Sequence, residues 1–115
     1  MVAEVPQAEI TIRDLDTLKI LVDAKRWDIL RHFVDRPRTV RQVAKVMDTS
    51  AHRLYYHVRL LVRYGLLVPV RKTLTAGNIV YHYQVSAYRF IVDPDLLVLD
   101  SSANGRGLQE AHGDD

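Results

Sequence analysis

Apolar side chains recur along this chain with two different periods, and the period changes at Gly65. Before it the spacing is helical. Asp14 is placed to cap a helix in which Leu15, Leu18, Leu21 and Val22 recur, led in by a short extended piece from Ile10. Asp23 is placed to cap a second helix running to about Val34, where Trp27, Leu30 and Val34, with Ile29 and Phe33 beside them, form a wide apolar stripe. Arg36-Pro37-Arg38 breaks it, because proline disfavours helical backbone in the residue before it. Thr39 starts a short third helix with Val40, Val43, Ala44 and Met47 at i, i+3, i+4 and i+7. Asp48-Thr49-Ser50 interrupts the pattern, and Ser50 caps a longer helix to Tyr64 with Leu54, Val58 and Leu61 on one face. Gly65 supplies its left-handed stop.

After Gly65 the period is two. Leu66 to Thr73 and Ile79 to Ser86 predict strands; in the second, Ile79, Tyr81, Tyr83 and Val85 alternate with Val80, His82, Gln84 and Ser86. Thr75-Ala76-Gly77-Asn78 joins them as a hairpin tip. Asp93-Pro94-Asp95 sets a cap before a proline at the first helical position and predicts a short C-terminal helix over residues 93–100. Residues 1–9 read as a flexible arm, and residues 101–115, polar and glycine-rich, as a disordered tail. The remaining order over residues 10–92 is helix, helix, short helix, tight turn, longer helix, hairpin. Two helices joined by a tight turn, the second basic, followed by a two-stranded wing, make an α+β, mostly α, winged helix-turn-helix.

Composition narrows the chemistry. With 115 residues, 48% apolar and 26% charged, the chain is sized for one globular domain that needs no staples. It has no cysteine, which excludes disulfides, thiolate zinc sites, iron–sulfur clusters and cysteine nucleophiles. No apolar run approaches the roughly 20 residues of a membrane span, and MVAEVPQAEI has no signal-peptide pattern, so a cytoplasmic location is expected. The net charge of +2 is unevenly spread: −3 from Met1 to Ala24, +9 from Lys25 to Lys72, and −4 from Thr73 onward. A strongly basic segment between acidic flanks is the electrostatic footprint of a surface for a polyanion.

The stretch from Thr39 to Leu67, TVRQVAKVMDTSAHRLYYHVRLLVRYGLL, resembles the core of the ArsR-like winged helix-turn-helix regulators. The matching features are Thr39, Val43-Ala44, Ser50, Tyr56-His57-Val58, Leu61 and Gly65-Leu66-Leu67, with Arg26 and Ile29-Leu30 upstream. The resemblance spans about Ile10 to Val92. It implies a homodimeric repressor of transcription that binds double-stranded DNA, with pairing through the first helix and a C-terminal segment. The candidates for that pairing are Ile10, Ile12, Leu15, Leu18, Leu21, Val22, Leu96, Leu97 and Leu99. A long final helix, usual in the family, is missing from the pattern.

Residue chemistry gives the candidate DNA contacts. On the helix from Ser50 to Tyr64, the outward set is Ala51, His52, Arg53, Tyr55, Tyr56 and Arg59, and those of the first two turns are placed to enter a major groove. Arg53 and His52 are candidates for base edges, whereas Tyr55, Tyr56 and Arg59 suit phosphates. Ser50 opens the helix. Arg38 and Arg41 stand at the start of the preceding helix; Arg71, Lys72 and Asn78 are the wing candidates. Lys25 and Arg31 are weaker candidates, and Arg26 suits a structural ion pair. No metal or cofactor is expected: His52 and His57 are five residues apart, and His112 with Asp93, Asp95 and Asp100 makes no helical ligand set. No phosphate loop, HExxH or serine elbow points to an enzyme. The alternatives to a sequence-specific regulator are a protein–protein docking module and an architectural DNA binder without sequence preference.

Overall fold

The computed structural model describes residues 5–98; Leu99, Asp100, His112 and the tail over residues 101–115 lie outside them. The elements are β1 (Gln7–Ile12), α1 (Leu15–Leu21), α2 (Ala24–Arg31), α3 (Val40–Val46), α4 (Ala51–Arg63), β2 (Leu67–Thr75), β3 (Asn78–Val85) and β4 (Ala87–Val92). A single 3₁₀ turn, Pro94–Leu97, stands where a short α-helix was expected.

All four helix starts are capped as their sequences imply. The carboxylates of Asp14 and Asp23 and the hydroxyls of Thr39 and Ser50 accept the N–H groups of Thr17, Arg26, Gln42 and Arg53. The Gln42 side chain also accepts the Thr39 N–H at 2.9 Å, completing a capping box. Helix α2 stops at Arg31, short of Val34, because the N–H groups of His32 and Phe33 turn back to Ile29 and Leu30 in a tighter, three-residue pattern.

The helices α3 and α4 end in the same hydrogen-bonded motif. After α3, Asp48 and Thr49 donate to the carbonyls of Lys45 and Ala44; after α4, Gly65 and Leu66 donate to those of Val62 and Leu61. Both motifs need a left-handed residue, filled by Asp48 at φ 54° and by Gly65 at φ 75°. The first of these makes the tight turn between α3 and α4.

The core lies between the helices and the base of the hairpin. Ile29, Leu30 and Phe33 from the α2 region meet Val40, Val43 and Ala44 of α3 and Leu54, Val58 and Leu61 of α4; Leu66, Leu67 and Val85 close it. The hairpin is tied to the end of α2: Val85 donates to the Phe33 carbonyl at 3.0 Å, the Gln84 side chain to the Val34 carbonyl at 3.3 Å. Phe33 and Tyr83 meet edge to face, with centroids 6.4 Å apart.

Two features were not expected from the sequence. Residues 87–92 form β4, which pairs in parallel with β1 from Gln7↔Ala87 to Ile12↔Val92. Strand β1 therefore starts at Gln7, inside the stretch read as a flexible arm. Ser86 separates β3 from β4 and is itself buried, donating from its N–H and its hydroxyl to the Leu66 carbonyl. The tip turn also departs from the usual residue choice: Ala76 (φ 50°) and Gly77 (φ 81°) are both left-handed, as a two-residue hairpin turn requires.

Backbone strain at these turns is open to test. The Gly65 Cα faces open space, so Gly65→Ala meets no neighbour and should cost only the left-handed penalty, about 1–2 kcal/mol. Asp48→Gly removes the same kind of penalty and should stabilise by up to about 1 kcal/mol. Urea unfolding of both variants checks the opposite signs.

Candidate nucleic-acid interface

Burial of Leu54, Val58 and Leu61 sets the rotation of α4. The opposite face then carries His52, Arg53, Tyr55, Tyr56, Arg59 and Arg63, all exposed. His52, Tyr55, Tyr56, Arg59 and Arg63, with Leu60, line a shallow groove of about 660 Å³ along the helix. Arg63 belongs to this face and was not singled out from the sequence, although it lies one turn beyond Arg59. Ser50 and Ala51 are placed differently from the rest of the predicted set. The Ser50 hydroxyl is engaged in capping, and Ala51 packs against the core.

The cations of this face pair with no carboxylate of the described residues. Among the described residues the ion pairs are Arg26–Asp23 at 3.6 Å, Arg31–Asp28 at 3.9 Å and Arg89–Glu9 at 4.0 Å. None involves Arg38, Arg41, Arg53, Arg59, Arg63, Arg71 or Lys72. Arg26 is structural, its Nε donating to the Ile20 carbonyl at 3.0 Å. Arg41 stands exposed on α3. Arg38 is half-buried, and its main chain exchanges two hydrogen bonds with Tyr83, at 3.0 and 2.8 Å, adding a third short edge to the hairpin.

The wing joins this surface through one of its faces. Tyr83 stands close enough to Tyr55, Tyr81 and Arg59 for their charges to act on it. Burial first, then the two neighbouring tyrosines, pushes its hydroxyl above the ordinary range, and Arg59 opposes them. Tyr81 and Tyr83 share a face, and the register puts Lys72 opposite Tyr81 and Leu74 opposite Ile79. Arg71 sits opposite His82 and lies 3.3 Å from its Nδ1, while the Thr73 hydroxyl lies 3.1 Å from its Nε2, so these three share the other face. The structure thus brings Lys72 to the α4 side of the wing and sends Arg71 to the opposite side. Asn78 is exposed where β3 leaves the tip.

The predicted dimer residues divide. Ile12 and Leu21, expected at a pairing surface, are spent on the monomer's own core, at 3% and 7% exposure. Leu18 and Leu96 pack against that core, and Ile10 is half-buried in β1. Leu15, Val22 and Leu97 are exposed, and so is Trp27, read from the sequence as part of the α2 stripe, at 43%. Val22 and Trp27, with Leu18, Leu21, Ala24 and Val92, line an apolar groove of about 360 Å³.

Residues 21–70 match the family model of a helix-turn-helix domain. The chain carries a winged helix-turn-helix. The same fold is found in solved structures at low sequence identity. HlyU from Vibrio cholerae in its reduced form superposes with a TM-score of 0.52 and 22% identity, over 62% of this chain and 70% of that one. The Mycobacterium bovis protein Mb0332, described as a homodimeric winged helix-turn-helix DNA-binding domain of a "possible ArsR-family transcriptional regulator", superposes at 0.51 with 19% identity, over 85% and 87%. Rv0081 from Mycobacterium tuberculosis gives 0.50 with 24% identity, over 84% and 89%. The winged helix-turn-helix fold that the sequence resemblance implies is borne out by the domain match and by this shared fold. No curated protein sequence matches the chain. No helix among the described residues is long and apolar enough to cross a membrane, and no group of His, Asp or Glu there is placed to hold a metal ion.

His57 is the one titratable side chain of α4 that turns partly inward. Its ring meets Tyr56 edge to face at 5.2 Å, and its Nδ1 is shielded from solvent with no hydrogen-bond partner among the described residues. Burial, then the charges of Arg26 and Lys25, hold its pKa below the ordinary 6.5, against the opposing pull of Asp23. The unfolded chain therefore takes up this proton first. The neutral imidazole's contribution to stability is complete above about pH 6.5 and declines as the pH falls below it. Between pH 7 and 5, His57→Gln should flatten the fall in unfolding free energy relative to wild type. Parallel curves would remove His57 from that dependence.

Proposed function

We propose that this protein is a sequence-specific double-stranded DNA-binding regulator of transcription, acting as a homodimer and repressing by occupying a promoter site. The observation that carries the reading is the exposed face of α4: arginines and tyrosines with no carboxylate partner among the described residues, held outward by the buried stripe behind them. The descriptions of its structural neighbours agree with it. Mb0332 is described as a homodimeric DNA-binding domain, and HlyU from Vibrio vulnificus, at 21% identity and a TM-score of 0.50, as a transcriptional regulator.

In this reading α4 enters the major groove by its N-terminal turns. Arg53 and His52 address base edges; Tyr55, Tyr56, Arg59 and Arg63 hold phosphates. Arg38 and Arg41 flank the groove at the start of α3, and Lys72 and Asn78 bring the wing to the adjacent backbone. The apolar groove lined by Val22 and Trp27, with the exposed Leu15 of α1, is covered by a second copy, which places two copies of α4 on successive faces of the duplex.

Arg53→Ala should cost about 1–3 kcal/mol on the preferred sequence and relax the preference there. An equal loss on all sequences would make Arg53 a phosphate contact instead. Lys72→Ala should reduce the slope of log affinity against log salt by about one, and Arg71→Ala by less, because Arg71 lies on the far side of the hairpin. Fluorescence anisotropy over a salt series reads both. Sedimentation tests the dimer: wild type should have the mass of two chains and the Val22→Asp, Leu15→Asp double variant that of one, with an unchanged circular dichroism spectrum.

A further inference from the structure

A third cleft, of about 380 Å³, opens between α2 and α4 behind the turn that joins α3 to α4. Its floor is apolar: the half-buried Met47 lies open to it, above Ile29 and Leu54, which the core already buries. Its rim is polar and cationic: Lys25 comes from α2, Thr49 from the turn, Arg53 and Tyr56 from α4. No carboxylate lines it, and neither Lys25 nor Arg53 has an acidic partner among the described residues. Asp23, whose charge acts on His57, is already engaged by the backbone and guanidinium of Arg26, and Asp48, exposed on the turn between Met47 and Thr49, is not among the residues that line the cleft. His57 forms part of the wall, with the unpartnered Nδ1 described above. Uncompensated positive charge above an apolar floor favours a guest that is anionic at one end and apolar at the other. The volume lies at the small end of ligand pockets, suited to about one ring and its acid group.

We propose that this cleft binds a small organic carboxylate, its acid group held by Lys25 and Arg53 and its apolar body resting on Met47 over the buried Ile29 and Leu54, and that occupation withdraws Arg53 from DNA. The Thr49 hydroxyl and the Tyr56 phenol stand at the same rim and are able to donate to the second carboxylate oxygen. A bare phosphate, including one of the DNA backbone, would use the rim and leave the floor unused; an apolar body gains by covering it. Arg53 cannot serve the cleft and a base edge in the same rotamer, so the guest and DNA compete for one side chain. The coupling to DNA rests on the DNA-binding reading; the binding of the carboxylate does not.

The test is a ¹⁵N NMR titration of the full chain, without DNA, against sodium acetate, hexanoate, benzoate, phenylacetate and 1-naphthoate. Benzyl alcohol, inorganic phosphate and matched sodium chloride are the controls. Saturable shifts centred on residues 25, 29, 49, 53 and 57 are expected from at least one of the larger carboxylates, with a dissociation constant near or below about 1 mM. Its neutral or apolar-free counterpart should bind at least about tenfold more weakly, and Lys25→Ala should weaken the carboxylate by a similar factor. Anisotropy with duplex DNA should then show an affinity lowered about tenfold at saturation.

Absence of saturable shifts across the series, or shifts centred elsewhere, would overturn the site. Phosphate binding as well as the carboxylates would make it a bare anion site. A bound carboxylate that leaves DNA affinity unchanged would overturn the coupling. A protein that fails to bind DNA before any carboxylate is added would instead refute the DNA-binding reading, and the NMR titration would still decide the cleft.

Discussion

Everything outward on α4 depends on what is buried behind it. Leu54, Val58 and Leu61 repeat at helical spacing and lie almost wholly out of solvent, so the helix has one rotation about its axis that satisfies the core. Removing one of these side chains would leave a cavity costing about 2–5 kcal/mol, a large part of a small domain's stability. The same constraint that folds the domain therefore aims His52, Arg53, Tyr55, Tyr56 and Arg59 away from it. Positioning by a buried apolar stripe leaves the outward polar face uncommitted to the core.

The wing is held by a different device, main-chain hydrogen bonding to the helical layer. Arg38 pairs with Tyr83, Phe33 accepts from Val85, and Ser86 donates twice to Leu66. These bonds fix the base of the hairpin, while β1 and β4 close the domain where its two ends meet. The tip beyond Thr73 has no such support. Its exposed Leu74 and Ile79 face each other across the strands on the side that carries Lys72, so the wing presents apolar as well as cationic surface.

How much of this could be read from the sequence follows from the range of the forces involved. The four N-caps, the Gly65 stop and the inward face of α4 are local, set within one or two helical turns, and all were legible. The parallel pairing of β1 with β4 was not, because it joins Gln7 to Ala87 through a register that no local pattern encodes. The split between Arg71 and Lys72 was hidden for a related reason: an irregularity between Pro69 and Arg71 sets which residues face which strand. Trp27 looked like core because its spacing matches Leu30 and Val34, yet Ile29, Leu30 and Phe33 are the residues that fill the space. The candidate site shows the same division. The outward side chains of α4 were legible from its period, but the cleft beside them needs α2 and the inter-helix turn in place before it exists.

The central claim is that α4 reads sequence in a dimer. Selection of bound fragments from a random pool of duplex DNA, followed by sequencing, tests it most directly. The account predicts enrichment of an inverted repeat whose half-sites lie about one helical turn, or a multiple of it, apart. Binding without enrichment would reduce the protein to a non-specific DNA binder, and no binding at low salt would assign its basic face to some other partner.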